Sequence, residues 1–306
     1  MRIGIDLGGT KIEVIALDDD GVELYRHRTS TPQQNYSETI NAIVQLINKA
    51  ETHTKKTATI GIGIPGAISP VTSLVKNANS TWLIGQPLKQ DLEDTLKRKV
   101  KIENDANCFV VSEATDGSAK NANTVFGVII GTGTGGGICI NKKVLTGCNA
   151  IAGEWGHNPL PWKDSIDTEQ VNRQQACYCG KPDCIETFLS GPAFERYYQF
   201  LSGTTEKLSA SDIIHLSLTG DVIANQCIEH YEHRLAKSLA QIINTLDPDV
   251  IVLGGGMSNI KRLYSNVPKY WGDYVFSDHV ATKLVAPVHG DSSGVRGAAW
   301  LWPVNN

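Results

Sequence analysis

Alternating apolar and polar positions predict three short strands at the start of the chain. Residues 3–7, 12–17 and 22–26 alternate with the period of two that is typical of strands. Gly-Gly-Thr-Lys at residues 8–11 separates the first two runs, and Asp-Asp-Asp-Gly at residues 18–21 separates the next two. The pattern therefore predicts a β-meander whose first turn is rich in glycine.

Longer apolar patterns predict helices and a buried strand further along. Asn35 is a favoured N-cap residue, and Glu38 follows three positions later, as in a capping box. Residues 58–64 form a continuous apolar run typical of a buried strand. Apolar side chains form one stripe over residues 228–246, which predicts a long helix that ends at Asp247-Pro248.

The order of elements at the start of the chain recurs more than a hundred residues later. An apolar run at 125–130 enters a Gly-Thr turn at 131–137, and a second run at 138–140 enters another turn at 141–143. Internal repetition of this kind predicts two similar α/β domains. Small residues at Gly117-Ser118 suggest the boundary. We expect a small domain over residues 1–117 and a large one over residues 118–291.

Composition narrows the class of protein. The chain has 306 residues, 41% of them hydrophobic, with 28 basic and 32 acidic side chains and a net charge of -4. Such a chain can bury substantial hydrophobic cores, and it lacks the excess of basic residues that is typical of nucleic-acid binders. It contains no apolar run long enough for a membrane helix and no pattern of a signal peptide. Seven cysteines are an odd number and a poor disulfide framework. We expect a cytoplasmic protein that binds neither nucleic acid nor membrane.

Three glycine-rich turns each follow an apolar strand, at residues 8–11, 131–137 and 254–256. Backbone N–H groups in such turns can converge on a phosphate because no Cβ blocks the approach. Asp6 is suited to Mg²⁺ through water, and Thr10 and Lys11 offer a hydroxyl and a cation to phosphate oxygens. Tight hairpins without a ligand are the alternative. Gly131-x-Gly133-x-x-Gly136 also matches the fingerprint of dinucleotide-binding proteins. That motif has to lead into a helix, whereas residues 137–140 have the pattern of a strand, so we do not expect a dehydrogenase.

Five motifs in order resemble the ROK family of sugar kinases and repressors. They are Asp6-Leu7-Gly8-Gly9-Thr10-Lys11, Asn104-Asp105-Ala106-Asn107, Gly131-Thr132-Gly133, Gly153-Glu154-Trp155-Gly156-His157 and Cys177-Tyr178-Cys179-Gly180. The resemblance implies an α/β protein with the duplicated actin-like (ribonuclease H-like) ATPase fold, two domains around a cleft. It also implies that a last helix, at about residues 292–306, returns to the first domain. Family repressors carry a helix-turn-helix ahead of the first motif, which here starts within ten residues, so we expect a kinase.

Asp105 is the candidate catalytic base. It follows a short strand at residues 100–102 and precedes a helix predicted from Ala106. Phosphoryl transfer needs one group that orients the attacking hydroxyl and takes its proton, and a carboxylate at a strand end can do so. The family's catalytic aspartate matches this position. The alternative is that Asp105 only caps the helix.

His157, Cys177, Cys179 and Cys184 form a candidate structural zinc site. A Cys₃His set suits tetrahedral Zn²⁺ and leaves no open position for chemistry. Ordinary core cysteines or a redox pair are the alternatives, although Cys-x-Cys is not the thioredoxin spacing. The family has glycine where this chain has Asp183, which tolerates a left-handed backbone better than most residues.

The resemblance also implies the ligand contacts. The sugar contacts are Asn79, Asn104, Asp105, Glu154, His157 and Glu186. The ATP contacts are Gly4, Asp6, Gly8, Gly9, Thr10, Lys11, Gly131, Thr132, Gly133, Thr134, Gly135, Gly136, Gly255 and Gly256. For Asn79, a plain turn residue is the alternative.

The expected activity is ATP- and Mg²⁺-dependent phosphorylation of a hexose at its 6-hydroxyl. Residues 76–83 and 154–162 look most like those of bacterial fructokinases (manno-fructokinases) of this family, so fructose, and also mannose, is the expected substrate. N-acetylglucosamine kinase and glucokinase are the alternatives within the family, and a sugar sensor without turnover is the non-enzymatic one. Homodimers are common in the family, so a homodimer is expected here.

Overall fold

The structure is a computed structural model that describes residues 1–173, 176–290 and 293–303. The chain divides into two compact units. The first comprises Met1–Gly127, Gly137–Ala152 and Pro287–Asn306, and the second comprises Val128–Gly136 and Gly153–Ala286. No helix of the described ranges combines the length and apolar character that a membrane span requires.

Strands and helices alternate along much of the chain. The strands are β1 Arg2–Leu7, β2 Lys11–Leu17, β3 Glu23–Ser30, β4 Thr59–Ile64, β5 Ala67–Ile68, β6 Val75–Lys76, β7 Val100–Asn104, β8 Thr124–Ile130, β9 Thr134–Ile140, β10 Lys143–Val144, β11 Val250–Gly254 and β12 Lys283–Val285. The α-helices are α1 Tyr36–Thr54, α2 Leu88–Leu96, α3 Asp105–Thr115, α4 Ser165–Arg173, α5 Glu186–Leu189, α6 Gly191–Ser202, α7 Ala210–Leu218, α8 Val222–Leu246, α9 Leu263–Tyr270 and α10 Ser293–Trp300. Short 3₁₀ segments occur at Thr81–Leu83, Trp155–His157, Gly256–Asn259 and Trp271–Asp273.

The first unit is built on a five-stranded sheet in the order β3-β2-β1-β4-β7. β1 and β2 pair antiparallel, as do β2 and β3, so the predicted meander is confirmed. β4 and β7 continue the sheet in parallel with β1. The alternating side chains of β1 and β2 contribute to an apolar core that also contains the buried face of α1.

The second five-stranded sheet has the order β10-β9-β8-β11-β12. Its strands follow one another in the same pattern as those of the first sheet, which confirms the repeat inferred from the sequence. The second glycine turn is shorter than predicted, because Gly131 N–H donates to Gly133 O at 2.9 Å and β9 begins at Thr134. Gly137 belongs to the strand and makes room for a helix, since a Cβ placed on it would lie 2.7 Å from Ala106 O.

The predicted domain ranges differ from the two compact units. Residues 118–127, 137–152 and 287–290 belong to the first unit, although the sequence pattern places them in the large domain. The reason is the packing of α3, since Cβ atoms placed on Gly127 and Gly137 would lie 2.7 Å from Val110 Cβ and Ala106 O respectively.

The two helices with clear sequence signals form as predicted. α1 is capped by Asn35, whose side chain accepts from Glu38 N–H at 3.1 Å. α8 begins at Val222, earlier than the apolar stripe suggests, because Asp221 caps it. Asp247 ends α8 in the left-handed region at φ 48°, and Pro248 follows.

The C-terminal helix is shorter than expected and lies in the first unit. α10 covers Ser293–Trp300, whereas residues 292 and 304–306 of the predicted segment lie outside the described residues. It packs against β1, β4 and α3 at very short range. Cβ atoms placed on Gly4 and Gly61 would lie 2.0 Å from Val295 O and 1.8 Å from Ala298 O. Glycine at these positions therefore lets a helix backbone rest directly on the sheet.

Gly297→Ala is expected to destabilise the protein strongly. A Cβ on Gly297 would lie 1.6 Å from Cys108 O, so α3 and α10 would have to separate. We expect a loss of about 3 kcal/mol or more in the free energy of unfolding, measured by urea denaturation. Gly272→Ala is the control, since nothing lies within 4 Å of its Cβ position. Equal midpoints for the two variants would contradict this packing.

Candidate active site

Asp105 is the first residue of α3, directly after β7. Asn104 is the N-cap, and its side-chain oxygen accepts from Ala106 N–H at 2.9 Å while its amide donates to Gly66 O at 3.1 Å. Asp105 is exposed, and its Oδ1 accepts from the same Ala106 N–H at 2.8 Å. Because Asn104 already supplies the cap, capping alone does not account for an aspartate at position 105.

A row of charged residues crosses the first sheet. Register places Asp6 of β1 opposite Glu13 of β2, and Glu13 opposite Arg28 of β3. On the other side Asp6 lies opposite Gly63, which lies opposite Glu103. Register partners point to the same face, so these side chains share one side of the sheet.

Asp6 holds its proton more tightly than an ordinary aspartate. Burial raises the pKa of Asp6 to about 6, and the negative charges of Asp105 and Glu13 act in the same direction, while Lys11 and Arg28 act in the opposite one. Removing water from a carboxylate disfavours its charged form. A cation near Asp6 would relieve this cost, and in that respect the residue fits a magnesium contact.

Hydrogen bonds from side chains outside the first glycine turn fix its backbone. Gly8 N–H donates to Lys11 O at 2.9 Å, Thr31 Oγ1 donates to Gly8 O at 2.7 Å, and Gln33 Nε2 donates to Gly9 O at 3.0 Å. Thr10 and Lys11 are exposed at its rim. The turn is therefore fixed in shape before any ligand arrives.

Of the predicted contact residues Gly4 and Asn79, the first is buried and the second is exposed. Gly4 is buried under α10, so its missing Cβ is accounted for by helix packing. Asn79 is exposed, and the next residue, Ser80, is buried beside the first glycine turn: a Cβ on Gly9 would lie 3.4 Å from Ser80 Oγ. Ser80 is absent from the residues predicted from the sequence, because its place between Asn79 and Thr81 in a polar run gives no sign that it is buried.

In the second unit, Glu186 contacts the second glycine turn. Its Oε2 accepts from Thr134 N–H at 2.9 Å, and a Cβ on Gly133 would lie 2.7 Å from the same oxygen. Thr134 Oγ1 is buried without a hydrogen-bond partner among the described residues. A phosphate-bearing ligand at this turn would offer it an acceptor, so the turn fits a nucleotide.

The second and third glycine turns are neighbours. A Cβ on Gly131 would lie 3.9 Å from Gly256 N and 4.0 Å from Gly255 Cα. Gly255 has φ 80°, and Gly191 N–H donates to Gly131 O at 2.7 Å. Three backbone segments thus approach one another in the second unit without intervening side chains. Gly135 and Gly136 lie in β9, beyond the turn.

Glu154 and His157 frame a 3₁₀ turn that packs on β9. Trp155 Nε1 donates to Gly135 O at 2.8 Å, and a Cβ on Gly156 would lie 1.9 Å from Thr134 O. Glu154 is exposed. A cavity of about 480 Å³ in the same unit is lined by Thr132, Cys177, Tyr178 and Glu186 among others.

The four residues of the predicted zinc site come together. One ligand atom from each of His157, Cys177, Cys179 and Cys184 lies within 4.8 Å of all the others. Cys177 Sγ is 3.5 Å from His157 Nδ1, and Cys179 Sγ is 3.6 Å from Cys184 Sγ. Tetrahedral zinc with Zn–S of about 2.3 Å and Zn–N of about 2.0 Å places sulfur pairs roughly 3.8 Å apart and sulfur–nitrogen pairs roughly 3.5 Å apart. The donor set fits zinc.

Neighbouring residues orient this cluster. His157 Nε2 lies 2.9 Å from the hydroxyl of Tyr178, so a sugar could contact this nitrogen only by replacing Tyr178. Cys177 Sγ lies 3.5 Å from Glu186 Oε1. Asp183 has φ 51°, the left-handed conformation that its replacement of glycine requires, and it pairs with Lys163. No sequence pattern signals the contacts of Tyr178 or the link through Glu186.

Comparison with known proteins shows which family has this sequence and this site. The ROK family profile matches residues 2–305. N-acetyl-D-glucosamine kinases of Pasteurella multocida and Vibrio cholerae are each 40% identical, over 303 and 301 residues, and cover 99% and 98% of this chain and 99% of their own.

Solved structures agree with the sequence comparisons. The ROK hexokinase of Thermus thermophilus has a TM-score of 0.85 at 26% identity and covers 98% of this chain and 97% of its own. A ROK glucokinase of Streptomyces griseus in complex with glucose and AMPPNP has a TM-score of 0.75 at 25% identity, with 97% of both chains covered. The expected two-domain actin-like ATPase fold is thereby confirmed. The chain belongs to the ROK family and is a sugar kinase of that family.

Proposed function

We propose that the protein transfers the γ-phosphoryl group of ATP to the 6-hydroxyl of N-acetyl-D-glucosamine. The observation that carries the proposal is the 40% identity to N-acetyl-D-glucosamine kinases over essentially the full length of both chains. ATP and Mg²⁺ follow from the sugar kinase family. The preference for fructose expected from residues 76–83 and 154–162 finds no support among these relatives.

Asp105 is the proposed general base. Its carboxylate is exposed at the N-terminus of α3, where Asn104 fixes the backbone through two hydrogen bonds. The sugar hydroxyl donates to this carboxylate, and its proton passes to Asp105 as its oxygen attacks phosphorus. The other proposed sugar contacts are Asn79, Asn104, Glu154, His157 and Glu186.

Backbone groups of the glycine turns are the proposed phosphate ligands. Gly9, Thr10 and Lys11 would hold phosphate oxygens, as would Gly131–Gly133 with Thr134, and Gly255 and Gly256 would approach the adenosine. Mg²⁺ bound with ATP would neutralise phosphate charge, and Asp6 would hold the ion through water. The raised pKa of Asp6, about 6, supports a role beside a cation.

Zinc is the proposed occupant of the His157, Cys177, Cys179 and Cys184 cluster. Four protein ligands leave no position for substrate, so the ion would be structural. It would fix the loop that precedes Glu186, whose carboxylate contacts Cys177. Residues around metal ligands commonly orient a site in this way.

The wild-type protein is expected to phosphorylate N-acetylglucosamine in preference to glucose, mannose and fructose. A coupled assay of ADP release across these four sugars measures the preference. Fructose as the best substrate would overturn the proposed sugar.

Asp105→Asn is expected to lower kcat at least about 100-fold, because the amide cannot accept the proton. Sugar affinity, measured by calorimetry, should change little, since the amide keeps the size and the hydrogen-bonding oxygen of the carboxylate. A kcat within tenfold of wild type would exclude Asp105 as the base.

Purified protein is expected to contain about one zinc ion per chain. Cys177→Ser should abolish it, since a tetrahedral site that loses a thiolate binds zinc far more weakly. Elemental analysis measures the metal, and Cys139→Ser, a buried cysteine outside the cluster, is the control. Wild-type protein that binds no zinc when purified with added zinc would contradict the assignment.

Asp6→Asn is expected to stabilise the protein in the absence of ligands while impairing catalysis. The native state keeps the Asp6 proton up to about pH 6, whereas the unfolded chain releases it near pH 3.8. Native stability therefore falls as pH rises through this window, and the full penalty, on the order of 3 kcal/mol, applies above pH 6. Asparagine at position 6 carries no charge and therefore removes this penalty.

Thermal melts without nucleotide or Mg²⁺ measure the effect. The variant should melt several degrees above wild type at pH 8, and this gain should shrink by about half at pH 5. Asp20→Asn, at an exposed turn, is the control. A variant less stable than wild type at pH 8 would refute the electrostatic explanation.

A further inference from the structure

The hydroxyl of Ser80 is buried and has no hydrogen-bond partner among the described residues. Ser80 is only 2% exposed. Buried hydroxyl groups in proteins are nearly always paired, because an unpaired one loses its bonds to water without replacement. A buried hydroxyl without a partner indicates a ligand contact only where it also borders a binding surface, and Ser80 meets both conditions.

Local structure does not account for this hydroxyl. Ser80 precedes the 3₁₀ segment Thr81–Leu83 at the N-cap position, yet its side chain makes no cap hydrogen bond. The cap contact is made by its backbone oxygen, which accepts from Leu83 N–H at 3.0 Å. A serine at this position thus contributes nothing to the turn that alanine would not.

The hydroxyl faces the first glycine turn. Ser80 Oγ would lie 3.4 Å from a Cβ on Gly9, so it sits alongside the backbone that we assign to phosphate binding. The carbonyl oxygens of this turn already have donors, since Gly8 O accepts from Thr31 and Gly9 O accepts from Gln33. A phosphate bound at this turn would supply the acceptor that Ser80 lacks.

We propose that Ser80 Oγ donates a hydrogen bond to an oxygen of the phosphoryl group in transfer. The inference rests on the proposed kinase function. In that reaction the bond from the γ-phosphorus to the β,γ-bridging oxygen breaks, and a bond to the sugar oxygen forms. The sugar hydroxyl proton goes to Asp105, and ADP leaves with the bonding electron pair. Ser80 keeps its proton and stabilises charge on the phosphoryl oxygens.

Position and chemistry both favour a phosphate oxygen over a sugar hydroxyl as the acceptor for Ser80 Oγ. Ser80 Oγ lies within 4 Å of the Cβ position of Gly9 and no atom of Asn79 does, and Ser80 is buried whereas Asn79 is exposed. A hydroxyl that donates to an anionic oxygen forms a stronger hydrogen bond than one that donates to a neutral sugar hydroxyl. Such a donor contributes most when it is fixed in place before reaction.

Ser80→Ala tests the proposal in three measurements. We expect kcat to fall about 10- to 100-fold with the KM for sugar within about threefold of wild type. Affinity for Mg²⁺–AMPPNP should weaken at least about threefold, whereas affinity for Mg²⁺–ADP, which lacks the γ-phosphate, should not change. The unliganded variant should melt at or above the wild-type temperature, because it loses an unpaired buried hydroxyl and no hydrogen bond.

Ser112→Ala is the matched control. Ser112 Oγ on α3 is also buried and without a partner among the described residues, but it lies two helical turns beyond Asp105. Its loss should leave kcat and both nucleotide affinities unchanged.

Each contrary outcome overturns the assignment. A raised KM for sugar with unchanged kcat would make Ser80 a sugar contact, and a lower melting temperature would make its role structural. Equal weakening of AMPPNP and ADP affinity would exclude the γ-phosphate as the acceptor. If wild type phosphorylates no sugar, the proposed function fails, and selective loss of AMPPNP affinity in Ser80→Ala would still support the phosphate contact.

Discussion

The first unit depends on backbone contact between two helices and a sheet. α10 lies directly on β1 and β4 because Gly4 and Gly61 have no Cβ, and Gly297 lets α10 meet α3 at Cys108 O. These contacts admit no side chain of any size. They fix the position of α3, and therefore of Asp105, relative to β1, the strand that carries Asp6. Part of the glycine content of this chain therefore serves helix packing rather than the glycine-rich turns.

This close packing brings acidic groups together. Burial and the charges of Asp105 and Glu13 hold the pKa of Asp6 near 6, and Arg28 and Lys11 compensate only in part. Glu13 is nearly fully buried and is paired with both Arg26 and Arg28, so neither arginine is left to neutralise Asp6 alone. A fold selected for stability alone would avoid an incompletely neutralised carboxylate at this depth. Its presence is physically understandable if a magnesium–nucleotide complex supplies the missing positive charge.

Sequence patterns could predict the elements and the grouping of His157 with three cysteines, but not the contacts between elements. Strand alternation and helix caps are local, so short windows suffice for the meander, α1 and the end of α8. The cysteine spacing predicts this group because ordinary core cysteines rarely place three thiols within eight positions. The start of β9 at Thr134 could not be predicted, because glycine signals both turns and close packing, and only the position of α3 distinguishes them. Ser80 escapes prediction for the related reason that burial of a polar side chain depends on tertiary structure.

Glu186 connects the group of His157, Cys177, Cys179 and Cys184 with the second glycine turn inside the second unit. One carboxylate oxygen lies 3.5 Å from Cys177 Sγ, and the other accepts from Thr134 N–H at 2.9 Å. Glu186 opens the short helix α5, which follows Cys184 almost directly, so the ligand loop determines where its backbone begins. A loop of this length with no ion would have to hold three thiols and an imidazole together through weak hydrogen bonds alone. An ion that closes the tetrahedron would instead fix Cys177, and through Glu186 the start of β9, without touching either substrate.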